Sequence, residues 1–179
     1  ALILPYRSAA SVASHIPQPT LESAMSSSAQ AKKLDHVAIM VTDLERSMEF
    51  YRDLLGLEKV DYYEENNIAG ASAAHGLTDV HLKLYIMAAP ENPEITLHLS
   101  HISTPPSPTG RPAINHAPSA HICFTVEDLN ATYESLKSRG VEFVSAPVAW
   151  PKDQGGWALC FLYDPDGNLI ELVEPAKET

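Results

Sequence analysis

Apolar and polar positions recur along this chain in an order that is run through twice. The first run opens at Leu34-Asp35-His36-Val37-Ala38-Ile39-Met40-Val41, an apolar stretch of strand length. Asp43 stands where a helix N-cap belongs, and Leu44, Met48, Tyr51 and Leu55 follow at helical spacing until Gly56 ends the pattern. Leu57-Glu58-Lys59-Val60 begins another strand, and residues 80–87 and 94–99 read as two more. The second run repeats this. His121-Ile122-Cys123-Phe124-Thr125-Val126 is the strand, Asp128 the cap, Leu129, Tyr133 and Leu136 the helix face, and Gly140 the stop. Val141-Glu142-Phe143-Val144 begins the next strand, followed by 157–163 and 169–173.

One interval separates His36 from His121, Val41 from Val126, Asp43 from Asp128 and Leu44 from Leu129. Such a match of strand, cap, helix and stop is the mark of duplication. The pattern therefore predicts an α+β protein of two βαβββ modules, over residues 31–103 and 119–175. A proline-rich linker, 104–118, joins them. Its Thr104-Pro105-Pro106-Ser107-Pro108 start lacks the N–H groups a central strand needs. Residues 176–179 are a short tail.

Residues 1–30 differ from the rest: Ser, Ala and Pro dominate, Glu22 is their one acid, and no periodicity is sustained. They are expected to be a disordered leader ahead of a natural start at Met25, with an organelle transit peptide as the alternative. The expected location is accordingly the cytoplasm, or an organelle if residues 1–24 are a transit peptide. The formal net charge of −11 argues against nucleic acid and against acidic membrane surfaces as partners. Two cysteines, Cys123 and Cys160, cannot build a disulfide framework, which points to a reducing compartment. No apolar run reaches the length of a membrane span.

The candidate chemistry lies in the strands. Asp164-Pro165-Asp166-Gly167-Asn168 is strong turn chemistry, and the strand after it places Glu171 between Ile170 and Leu172. Side chains alternate along a strand, so Glu171 can face a cavity while its neighbours pack the other side. Leu97-His98-Leu99 repeats the arrangement in the first module, and His36 and His121 sit in the two opening strands. Each alone reads more readily as a half-buried histidine bonded to backbone or an edge carboxylate. Symmetry groups them: four donors at equivalent positions of a repeat are expected to bind one divalent metal. Three imidazoles and a carboxylate suit Zn, Ni, Co, Mn or Fe(II) better than Ca. His15, His75, His81, His101 and His116 lack that support and read as loop or surface residues, His101 having the opposite strand parity to His98.

The segment Asp-His-Val-Ala-Ile-Met-Val-Thr-Asp-Leu at 35–44, Phe50-Tyr51, Leu54-Leu55-Gly56-Leu57, His121 and the 164–168 turn leading to Glu171 resemble the vicinal oxygen chelate superfamily. That group includes glyoxalase I, methylmalonyl-CoA epimerase, extradiol dioxygenases and fosfomycin-resistance enzymes. The resemblance covers about residues 34–175 and implies a cupped, eight-stranded mixed sheet around a metal site, with a small-molecule substrate that approaches the metal through adjacent oxygens. It also leaves open whether modules pair within one chain or across a homodimer. The glyoxalase and epimerase branches usually carry Glu or Gln where His98 stands, so this site is one charge unit more positive and lacks one proton acceptor.

Three functions follow. The first is a metal-dependent isomerase or lyase acting on an α-hydroxy or α-keto compound, with Glu171 and His98 as the catalytic residues and Glu171 as the base. The second is an Fe(II) dioxygenase with His36, His121 and Glu171 as a facial triad and His98 as an acid; Phe161 stands where extradiol enzymes usually carry Tyr. The third is a metal-free binding or resistance protein, against which the presence of all four donors speaks. A thiol transferase of the fosfomycin type fits less well, because Ala38 stands where that branch has Thr. Met40, Cys123, Trp157 and Phe161 are the expected substrate-binding residues.

Overall fold

Each run of the sequence folds as one four-stranded mixed sheet. This computed structural model describes residues 31–66, 69–111, 114–115, 119–151, 153 and 155–176. The expected leader with His15, His116 in the linker, and residues 177–179 lie outside them. Contacts divide the chain into Ala1–Leu34 and Asp35–Thr179, and the second unit carries every element named below.

The first module contains β1 (His36–Met40), α1 (Leu44–Glu49), β2 (Glu58–Asn66), α2 (Ala69–His75), β3 (His81–Ala89) and β4 (Asn92–Thr104). The second contains β5 (His121–Thr125), α3 (Leu129–Ser138), β6 (Val148–Ala149), β7 (Ala158–Tyr163) and β8 (Leu169–Glu174). The sheet orders are β1-β4-β3-β2 and β5-β8-β7-β6, the same arrangement twice. In each, the opening strand runs parallel to the closing one and the other pairs are antiparallel. Eight strands and the α+β class are therefore present as two hydrogen-bonded sheets, with one strand away from its expected place.

The helix starts show the duplication at atomic detail. Asp43 accepts a hydrogen bond from the backbone N–H of Arg46 (3.1 Å), and Asp128 accepts one from Ala131 (2.9 Å). Each satisfies a donor that the first helical turn leaves without a partner. After Glu49 the first helix widens into a π-helical turn over Phe50–Leu54, and Phe50 and Tyr51 both enter the core.

Two elements depart from the sequence pattern. The alanine-rich α2 has only seven residues and no periodic apolar face; Ala71 holds it against Val80, Leu82 and Ile102. In the second module, the strand expected at 141–144 shrinks to a bridge between Phe143 and Leu162, and regular pairing resumes only at β6. Pro147, without an N–H, stands between the two pieces.

One core serves both modules. Val41, Phe50, Tyr51, Leu97 and Leu99 of the first share a cluster with Leu129, Leu136, Leu162, Ile170 and Leu172 of the second. The turn before β8 fastens them together. Buried Asp164 accepts from the Tyr51 hydroxyl (3.0 Å), the N–H of Asp166 (2.9 Å), the N–H of Asn168 (2.7 Å) and the Asn168 amide (2.8 Å). Asp166 accepts from Arg46 (2.8 Å), Ser47 (3.3 Å) and the Thr42 hydroxyl. What reads in sequence as a local turn is also the strut between modules. Among the described residues no helix is long and apolar enough to cross a membrane.

Candidate functional site

β1 and β5 each bury one face and expose the other. Val37 and Ile39, like Ile122 and Phe124, pack against the core, whereas His36, His121 and Cys123 lie on the exposed side. In the closing strands Leu97 and Leu99, and Ile170 and Leu172, are buried, which turns His98 and Glu171 to the opposite face. The registers correspond: Ala38 stands opposite His98 in the first sheet and Cys123 opposite Glu171 in the second.

This geometry assembles the four expected ligands as two pairs. The rings of His36 and His98 stack at 4.0 Å between centroids with 5° between planes. His36 Nδ1 lies 3.1 Å from the Asp35 carboxylate, and His98 Nε2 lies 3.1 Å from the Thr96 hydroxyl. Burial, and then the neighbouring His36, hold His98 below the usual histidine value, which favours the neutral, ligating form. In the second module His121 Nε2 lies 2.9 Å from Glu171 Oε2, and Phe161 meets the His121 ring edge-on at 5.3 Å. The Cys123 thiol donates to the Glu171 carboxylate; burial and that carboxylate push it up to about 11, so it remains a thiol.

No three His, Cys, Asp or Glu side chains among the described residues stand close enough to share an ion. Parallel rings cannot both aim in-plane lone pairs at one point, and Thr96 and Asp35 engage the imidazoles in their present orientation. The donor types suit a borderline divalent metal, and binding would require the rings to turn.

The strands carrying the pairs are neighbours. Residues 37–39 of β1 and residues 119–122 at the start of β5 line one crevice, together with Gly167 and Asn168. A second cavity, of about 310 Å³, lies between β5 and the end of the first sheet, lined by His121, Cys123, Ile122 and Phe124 on one side and by Val37, Met87, Thr96 and Leu97 on the other. Of the expected substrate-binding residues, Cys123 lines this cavity. Met40 sits in a polar crevice with Arg46 and Asp166, its carbonyl accepting from the Asn168 amide (3.2 Å). Trp157 stacks on Trp150 at 4.2 Å. His101 points toward the first helix, its Nδ1 3.0 Å from the Val41 carbonyl. The cavity walls Met87, Leu97 and Phe124 gave no signal in the sequence beyond ordinary strand packing.

The glyoxalase/bleomycin resistance protein/dioxygenase superfamily model matches residues 33–172. The chain belongs to that superfamily. Its fold relatives agree: a glyoxalase family protein from Bacillus cereus superposes with a TM-score of 0.74 at 24% identity, covering 84% of this chain and 99% of that one. In sequence it is similar to a lactoylglutathione lyase of Schizosaccharomyces pombe, 28% identical over 81% of this chain and 48% of that protein. It is also similar to glyoxylase I 4 of Arabidopsis thaliana, 29% identical over 78% of this chain and 68% of the relative. The chain thus spans about half the length of the fission-yeast relative.

Proposed function

We propose that this superfamily member is a divalent-metal-dependent lyase or isomerase of glyoxalase-like type, moving a proton on a small α-hydroxy or α-keto substrate. The observation that supports it is the pairing on equivalent rungs of the two sheets: His36 with His98, and His121 with Glu171. These four residues would hold the metal, with the pairs contributed within one chain or by two protomers of a homodimer. The metal's contribution, when bound, is to polarise a substrate oxygen so that the neighbouring C–H becomes acidic. Glu171, half-buried between Cys123 and Phe161, takes up the proton and returns it to the adjacent carbon. His121 and Cys123 orient the carboxylate for that transfer. His98 stays neutral beside His36 and serves as a ligand. Similarity to proteins named lactoylglutathione lyase supports the reaction type.

The test is elemental analysis of protein purified without added metal, followed by deuterium exchange into lactate-type substrates. Nickel, cobalt, manganese or zinc with exchange at the α-carbon is the expected result. Iron with oxygen uptake on catechols would replace it with the dioxygenase reading. Sedimentation with and without metal shows whether the pairs combine across a homodimer.

A further inference from the structure

The cavity beside His121 has a lining that restricts what can be turned over there. Its walls are Val37, Leu57, Met87, Leu97, Ile122 and Phe124, all of them apolar. Asn92 and Thr96 add polar but uncharged groups, and among the described residues lining it there is no Asp, Glu, Lys or Arg. Its volume of about 310 Å³ is at the lower end for small-molecule sites. Three cationic side chains are engaged with partners of their own: Lys59 over the Tyr85 ring, Arg46 with Asp166, and Arg111 with Glu142.

We infer that the substrate carries an uncharged apolar group, such as a phenyl ring or a branched chain, lodged in this cavity with its oxygens toward His121 and Glu171, and that it is not a glutathione conjugate. The inference rests on the four-donor reading above and adds the substrate class. A glutathione conjugate brings two carboxylates and an ammonium group. Burying ionised groups without partners is unfavourable, and the described residues of this cavity offer no oppositely charged Lys, Arg, Asp or Glu. The chain's formal net charge of −11 adds long-range repulsion toward an anionic conjugate. An apolar group faces neither obstacle and gains from leaving water.

The experiment is calorimetric titration of metal-loaded protein with lactate, 3-phenyllactate and S-lactoylglutathione, with metal content measured on the same sample. The expected result is that 3-phenyllactate binds at least about tenfold tighter than either of the others. Ala89→Phe fills the cavity and should bring 3-phenyllactate to the affinity of lactate. Ile95, 41% exposed and lining the same space, tolerates a long side chain; Ile95→Arg should turn the preference toward S-lactoylglutathione. Circular dichroism melts confirm that both variants fold. Tightest binding of S-lactoylglutathione by the unmodified protein, or a phenyl preference that survives Ala89→Phe, would overturn the inference while the metal site stands. Protein that takes up no metal and binds none of the three overturns the four-donor reading and this inference with it.

Discussion

The two modules share one plan and finish it differently. The first ends in a long edge strand: β2 runs nine residues, β4 thirteen, and α2 packs Ala71 against Leu82 and Ile102. The second has an edge strand of two residues, a stacked tryptophan pair and a turn whose carboxylates reach across to the first helix. Their donor pairs differ in the same sense. The first pair is two stacked imidazoles, whereas the second sets an imidazole against a carboxylate. Duplication supplied the frame, and under the function proposed above the different closing strands would divide the roles between ligation and acid–base chemistry.

The largest expected break in that division is Glu171→Gln. It should lower α-proton exchange by about 10²–10⁴-fold while the protein keeps its fold, as read by NMR of deuterium incorporation. His98→Gln should reduce metal uptake with a smaller loss of exchange at saturating metal. Equal losses from both substitutions would erase the proposed division of roles.

Stability sharpens the comparison next. Asp164→Ala strands four donors, the Tyr51 hydroxyl of the other module among them, and should cost about 2–4 kcal/mol in urea unfolding. The corresponding turn of the first module, Ala89-Pro90-Glu91-Asn92, carries an exposed Glu91. Glu91→Ala should stay within about 0.5 kcal/mol.

Two glycines with positive φ make a smaller contrast. At Gly155 (φ 110°) a Cβ would come within 2.6 Å of the Trp157 ring, whereas Gly56 (φ 75°) has open space around it. Gly56→Ala should cost about 1–2 kcal/mol, the left-handed conformation alone, and Gly155→Ala more, with the excess lost when Trp157 is also replaced by Ala.

The smallest effect is a pH dependence. Burial alone would raise Asp166, but the Thr42 and Arg46 contacts outweigh it and hold the carboxyl below its ordinary value. A depressed folded value means that the contribution is complete above about pH 4 and is lost as pH falls through the folded value. Thermal melts between pH 7 and 3 should therefore show a decline that is shallower in Asp166→Asn.

Much of the frame was legible in the sequence. Asp43 and Asp128 cap their helices as the spacing predicts, and His98 and Glu171 flank buried residues because strand alternation requires it. The β6 strand was not legible at its expected place, because pairing after Gly140 depended on where Pro147 fell against β7. The short α2 left no trace, since a seven-residue alanine-rich helix gains its stability from Val80 and Leu82 and not from its own pattern.

The sequence by itself determined the repeat, the βαβββ succession within each half and the residue type at each repeated position, because these follow from periodicity and local turn chemistry. Only the tertiary structure decided that Asp164 and Asp166 join the modules, that His36 stacks on His98 while His121 meets Glu171, and that a largely apolar cavity lies beside His121. Those features arise where residues distant along the chain meet, and contacts of that range depend on how the two sheets bury a common core.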